Sequence, residues 1–163
     1  MRFLLTYSLL ALIGLFYMGC GGTSPSTVTY PTALSLSGTA SLTPGTMPTN
    51  CYPYTATATL DGDAWTATAD TTFKFYVYDD ATTNLSSTFG LTTFSDSDCA
   101  TTALGNPASI EVPEGESSIV LYIKETVGSG PTFDPNDGSY DMVVKTNEDT
   151  VESTAFSINV SAG

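Results

Sequence analysis

The stretch Asp134-Pro135-Asn136-Asp137-Gly138, followed by Asp141, sets several hard oxygen donors around a glycine bend. Oxygen donors of that kind are what calcium takes as ligands, so Asp134, Asn136, Asp137 and Asp141 are candidate ligands, with calcium the only cofactor the sequence brings forward. The spacing falls one residue short of an EF-hand loop, and a turn rich in Asp, Asn, Pro and Gly also forms without metal. A second candidate lies in TTFKFYVYDD, residues 71–80, where Lys74, Tyr76 and Tyr78 alternate with Phe73, Phe75 and Val77. Two outward tyrosines beside a lysine could stack on a pyranose face. The plainer reading is that they are strand-favoured aromatics covered by a neighbouring strand.

Catalysis finds little to work with. The chain has no His, which removes Ser-His-Asp and Cys-His nucleophile pairs and the usual zinc ligand sets. A Ser-Lys pair would have to use Lys74, Lys124 or Lys145, each read as lying on a strand among aromatic or aliphatic neighbours. Paired carboxylates occur at Asp61 and Asp63, Asp79 and Asp80, Asp96 and Asp98, and Glu114 and Glu116. These fall at turns, where acids are solvated, whereas a glycosidase needs two carboxylates facing each other in a cleft. The sequence therefore predicts no enzyme.

Charge narrows the partners. Lysine and arginine number 4 against 17 acids, for a formal net charge of −13, and the one arginine is Arg2. An acidic surface without arginine argues against nucleic acid and anionic lipid as partners. It equally suits a dispersed extracellular protein.

The N-terminus says where the chain goes. Met1-Arg2 is followed by an apolar, uncharged run from Phe3 to Met18, shorter than the about 20 residues of a bilayer span but matching an export signal. Tyr17-Met18-Gly19-Cys20 resembles a bacterial lipobox, which implies cleavage after Gly19 and lipid on Cys20; an uncleaved anchor or an ordinary cut leaving a free thiol are the alternatives. Lipidation adds about 0.8 kcal/mol per buried CH2, so more than one acyl chain holds a protein stably on a membrane. Gly21, where inner-membrane retention favours Asp, implies the outer membrane in a Gram-negative cell. Removing 1–19 leaves Cys51 and Cys99, and an even pair in an oxidising compartment reads as one disulfide. GGTSPST has the composition of a flexible spacer, so the expected organisation is a signal peptide over 1–19, lipidated Cys20 and linker over 20–32, and one domain over 33–163.

That domain reads as all-β, because Thr, Ser, Val and aromatic residues dominate and no helical period is seen. ALSLSGTASL, 33–42, is a strand broken at Gly38. CYPYTATATL, 51–60, alternates, with Tyr54, Ala56, Ala58 and Leu60 inward and Thr55, Thr57 and Thr59 outward. After the DGDA turn, Trp65 reads as a core or end plug. Residues 71–80 form the next strand, with further strands expected over 86–95, 108–112, 117–125, 139–145 and 154–160. Pro113-Glu114-Gly115-Glu116 reads as a tight hairpin joining two of these. Cys51 falls opposite the inward set, which places the bridge at an end or edge of the domain.

CYPYTATATLD, FSDSDCATTA and ASIEVPEGESSIVLYIKET, in that order, resemble the bacterial immunoglobulin-like domains of surface lipoproteins and of invasin- and intimin-type adhesins. The matching positions are Cys51 with Tyr54, Phe94-Ser95-Asp96 with Cys99, Gly115, and Lys124-Glu125. The resemblance spans about 33–160 and implies a single immunoglobulin-like sandwich of about seven strands. It further implies a cell-envelope lipoprotein with a structural, adhesive or protein-interaction role. The alternative function is a carbohydrate- or calcium-binding surface module. The expected partners are the membrane, through the lipid, and a protein or glycan surface. DGDAW lacks the proline of the family's turn, and GPTFDPNDGSYD is longer and more acidic than the pattern.

Overall fold

The computed structural model describes residues 28–42, 51–79, 84–85, 91–125 and 138–161, with no helix among them. The strands are β1 (Ala33–Gly38), β2 (Ser41–Leu42), β3 (Tyr52–Leu60), β4 (Asp63–Ala64), β5 (Thr71–Asp79), β6 (Asn84–Leu85), β7 (Leu91–Phe94), β8 (Ala108–Val112), β9 (Ser118–Glu125), β10 (Gly138–Thr146) and β11 (Phe156–Val160). They make two sheets. Sheet A runs β1-β3-β9-β7, with β4 hairpinned onto β3. Sheet B runs β2-β11-β10-β5, and β6 and β8 both lie along the free edge of β5. The strand count exceeds the expected seven because the first strand splits, β4 and β6 are two-residue additions, and β8 forms a separate edge piece.

Alternation explains the packing. In β3, Tyr54, Ala56 and Ala58 are fully buried, as are Leu121 and Ile123 of β9. From the other sheet come Phe73, Phe75 and Val77 of β5, Met142 and Val144 of β10, and Ile158 of β11, none more than 2% exposed. Each large apolar side chain so buried is worth about 1.5–3 kcal/mol relative to exposure. Trp65 fills one end as expected: it is 2% exposed, its ring centre is 6.1 Å from that of Phe73, and its Nε1 donates to the Thr29 carbonyl at 2.7 Å. Asp61 and Gly62 take φ of 52° and 94°, both in the left-handed region, so the Leu60–Asp63 hairpin closes with two residues.

Gly38 marks a change of sheet. β1 pairs with β3, whereas β2 runs parallel to β11 on the opposite sheet. A Cβ on Gly38 would lie 2.3 Å from Cδ1 of Tyr54, so only glycine lets the ring cross there. The Tyr54 hydroxyl then donates to the Thr39 carbonyl at 2.7 Å, just past the break, and burial raises its pKa.

One expectation fails. Residues 113–116 do turn tightly, with Gly115 at φ 93° and Glu116 N–H donating to the Pro113 carbonyl at 3.1 Å. However, β8 pairs with β5 in sheet B and β9 with β3 in sheet A, so the turn crosses the sandwich instead of making a hairpin. Its backbone is satisfied by Ala67, which donates to the Glu116 carbonyl at 2.9 Å and accepts from Gly115 at 2.8 Å. Of the strand expected over 86–95, Leu91–Phe94 is β7 and residues 86–90 lie outside the described residues.

The two ends of the sandwich differ. Residues 28–33 enter beside the Thr59 end of β3, where Trp65, the 113–116 turn and the 147–150 turn also lie. The strand ends that lead to and from 43–50, 80–90 and 126–137 all lie at the other end.

Candidate functional site

The outer side of sheet B holds the candidate ligand face. Lys74, Tyr76 and Tyr78 stand on the outward side of β5, beside Lys145, Val143 and Asp141 of β10. Tyr76 and Tyr78 stack on each other, with ring centres 6.0 Å apart and planes 10° from parallel. The Lys145 ammonium sits 5.2 Å from the Tyr76 ring centre, a cation–π contact. Since Lys145 pairs with Lys74, on the side of Tyr76 away from Tyr78, the tyrosine is flanked from both directions along the strand. Rings stacked in this way along a strand stand upright and turn edges, not faces, to solvent. Tyr78, with the Tyr76 ring against it, is 9% exposed, less open than an outward position suggests.

The polar groups of this face are engaged with the 147–150 turn. Tyr76 donates its hydroxyl to Asp149 at 3.3 Å, Lys74 donates to the Asn147 carbonyl at 2.9 Å, and Lys145 pairs with Glu152 at 3.0 Å. Burial, then the Asp149 carboxylate, raises the pKa of Tyr76; the hydrogen bond to Glu152 is the main cause raising that of Lys145. Of the three residues singled out for a sugar, Lys74 and Tyr76 thus meet around one β-turn as its latch, while Tyr78 stacks on Tyr76 from the side away from that turn. Lys145, Asp149 and Glu152 complete the latch, and no local pattern in the sequence signals them.

Among the calcium candidates, Asp134, Asn136 and Asp137 lie outside the described residues, as does Cys20. Asp141 sits on β10 opposite Ser157 of β11 and accepts its hydroxyl at 2.8 Å. Among the described residues no group of three Cys, Asp or Glu gathers as a metal site.

Cys51 and Cys99 are joined, with Cα atoms 6.1 Å apart. Cys51 precedes β3, Cys99 follows β7, and β9 lies between those strands, so the bridge ties the segment after β7 back across sheet A. Asp96 shapes the turn that presents Cys99. Its carboxylate accepts from Ala100 N at 2.9 Å, from Thr101 N at 3.1 Å and from the Thr101 hydroxyl, while Cys99 N–H donates to its carbonyl at 3.1 Å. These bonds, that from the Thr101 hydroxyl foremost, hold its pKa below the usual carboxylate range, and Cys99 sits at φ 48°.

A second surface went unmarked in the sequence. On the outer side of sheet A the registers align Ser35, Thr57 and Ser118 in one cross-strand row and Ser37, Thr55 and Val120 in the next. Each strand shows only the polar half of an alternating pattern, and the row exists only once β1, β3 and β9 are paired. Tyr122 continues this face opposite Pro53, and Lys124 is the single charge on the outward positions of these three strands. β7 stops opposite Tyr122, so it leaves the 118–121 edge of β9 uncovered. A groove of about 400 Å3 lies there, lined by Tyr122, Ser118 and Val120, with Ser95 and Glu116 at its sides.

No family model matches the chain and no curated protein matches it. Among solved structures it is similar to the E. coli chaperone DraB, at 13% sequence identity and a TM-score of 0.41. The similarity covers 78% of this chain and 53% of the DraB chain, so the chain spans about half the length of that protein.

Proposed function

We propose that the chain is an exported, lipid-anchored protein of the cell envelope, not an enzyme but an interaction module of structural or adhesive role built on one immunoglobulin-like sandwich. The order β1-β3-β9-β7 against β11-β10-β5 supports the immunoglobulin-like reading. The Cys51–Cys99 bridge supports export, since such bonds persist in oxidising compartments.

The observation that carries the proposal is the polarity of the sandwich. The chain arriving from Cys20 docks at the Trp65 end, through the Trp65–Thr29 hydrogen bond. The strand ends bordering 43–50, 80–90 and 126–137 lie at the other end, away from the anchored one. Connections carried by a rigid scaffold are where binding residues concentrate. Lipid on Cys20 would then hold the domain at the outer membrane and turn that end toward a protein or glycan partner.

Lipid labelling of the wild type and of Cys20→Ser tests the anchor: label should vanish and the protein leave the membrane fraction in the variant. Protease accessibility on intact and permeabilised cells tests the role. Digestion on intact cells supports adhesion, whereas protection until permeabilisation replaces adhesion with a periplasmic structural role. Label persisting in Cys20→Ser would sink the anchored reading.

A further inference from the structure

We infer that the outer face of sheet A, with the groove beside Tyr122, is a binding surface for a neutral, hydroxyl-rich polysaccharide. This surface is distinct from the Lys74, Tyr76 and Tyr78 face and does not depend on the lipid anchor.

The first argument is charge. The protein carries a net charge of −13, yet the outward positions of β1, β3 and β9 hold no acid, and their one base, Lys124, stands at the distal border. The outer side of sheet B, by contrast, includes Lys74, Lys145, Glu111 and Asp141. Between Lys124 at one border and Glu116 at the groove, the centre of this face offers no ionic partner to an anionic polymer or a basic peptide, and a neutral partner loses no ionic hydration on reaching it.

The second argument is chemistry. Ser35, Thr57 and Ser118 in one row and Ser37 and Thr55 in the next place hydroxyls about 4.8 Å apart across strands and about 6.8 Å apart along them. A hydroxyl donates one hydrogen bond and accepts two, which is the valence that sugar hydroxyls present in return; that of Ser35 donates to the Thr57 carbonyl at 3.4 Å and so faces a ligand as an acceptor. Ser35 and Ser37 are exposed and the threonines half-exposed, so the rows open to solvent. At their edge, the groove adds an aromatic ring, Tyr122, and a carboxylate, Glu116: a surface for the apolar side of a pyranose and an acceptor for its hydroxyls.

The third argument separates a glycan from a protein. Protein interfaces are built on a buried apolar centre enriched in aromatic residues, Met and Arg, and are depleted in Ser and Ala. Here the centre is serine and threonine, and the apolar contribution lies to one side, in Val120 and Tyr122 together with Ile119 and Pro113 of the groove and Pro53 opposite Tyr122. Many weak, repeated contacts suit a polymer, which gains by engaging several at once.

The test passes the full-length chain, in detergent, over immobilised cellulose, xylan and mannan, with alginate as the anionic control. Retention on at least one neutral polymer, insensitive to salt and absent on alginate, is expected. Thr57→Glu and Tyr122→Ala should each weaken it about tenfold or more, while Glu111→Gln on the opposite sheet leaves it unchanged. The double variant Thr55→Val with Thr57→Val keeps strand-forming shape and removes hydroxyls, so it reports on the face even if Thr57→Glu unfolds; it too should lose retention. Retention on none of the three neutral polymers, retention that survives the face variants, or a dimer or protein adduct cross-linked through this face would each overturn the inference.

Discussion

The two outer faces of the sandwich are built from the same alternating strands and end in opposite conditions. On sheet B, lysine, tyrosine and carboxylate side chains are turned on one another: Lys145 lies on Tyr76 and pairs with Glu152, Tyr76 reaches Asp149, and Lys74 reaches Asn147. On sheet A, rows of hydroxyls face solvent, with Cys51–Cys99 as the covalent tie across the sheet. Lys74 and Lys145 both stand on sheet B. With basic residues so scarce, one face has its polar groups engaged internally and the other is left neutral. A closed face stabilises the fold, while an open neutral one is available to a ligand.

The largest effect should come from removing the bridge. With a sequence separation of 48, the chain-entropy model puts loss of the Cys51–Cys99 link at about 4 kcal/mol. Cys51→Ser with Cys99→Ser should therefore lower the melting temperature by roughly 10–15 °C. If the contrast between faces holds, hydrogen exchange in that variant rises first in β7 and residues 95–101, while β10 keeps its protection. Simultaneous loosening of both sheets would mean that the bridge supports the whole sandwich.

Next comes the place where the chain leaves one sheet for the other. Gly38→Ala puts a Cβ into the Tyr54 ring, which is fully buried and cannot swing away without losing its bond to Thr39. Overpacking of this kind costs about 1–3 kcal/mol, measurable as a shift in the denaturant midpoint. Tyr54→Phe with Gly38 intact should cost about 1 kcal/mol, the worth of one hydrogen bond. An alanine variant as stable as the wild type would show that β1 can slide relative to β3.

Much smaller effects are expected on sheet B. Lys145 and Glu152 are both partly exposed, so Lys145→Ala should cost no more than about 1 kcal/mol even with its ring contact included. The informative readout is local: amides of 147–152 should lose protection in Lys145→Ala and in Tyr76→Phe, with sheet A unchanged. A global loss of several kcal/mol would mean that the latch supports the fold and not merely the turn.

Legibility in the sequence follows the range of the interaction involved. Period-two alternation in 51–60 and 71–79 marked the inward residues well, because one buried face writes itself directly into each strand. Cys51, out of phase with that inward set, lies at the start of its strand as its parity implied. The 113–116 turn was visible from Pro113 and Gly115, but turn chemistry specifies only a reversal; which sheet receives the next strand is decided by pairing to β5 and β3, far away in sequence. Tyr78, at 9% exposed, fits the plainer reading of a covered strand aromatic, although strand parity alone separates inside from outside and does not say which outward residue is covered. The hydroxyl rows of sheet A were hidden for the same reason: Thr55 and Thr57 are an ordinary polar side until Ser35, Ser37, Ser118 and Val120 are brought into register.

The finest distinction between the faces is their response to pH. Asp96, which holds the Cys99 turn, has its folded pKa lowered by its hydrogen bonds. The unfolded chain then takes up its proton first as pH falls, so this contribution is present above the ordinary carboxylate range and lost toward acid. On sheet B the signs reverse. Tyr76 and Lys145 both have raised pKa values, so they keep their protons longer in the folded protein than in the unfolded one. Their contribution is full below about pH 10 and fades as pH rises through the raised values. Acid should therefore loosen the 95–101 turn beside sheet A, and alkali the 147–152 latch on sheet B. Amide and ring resonances followed by NMR across both ranges would read the two separately. In Asp96→Ala the acid-side change at 99–101 should disappear while the alkaline change at Tyr76 persists. If both regions responded together at either extreme, the faces would be one electrostatic unit and the contrast between them would fail.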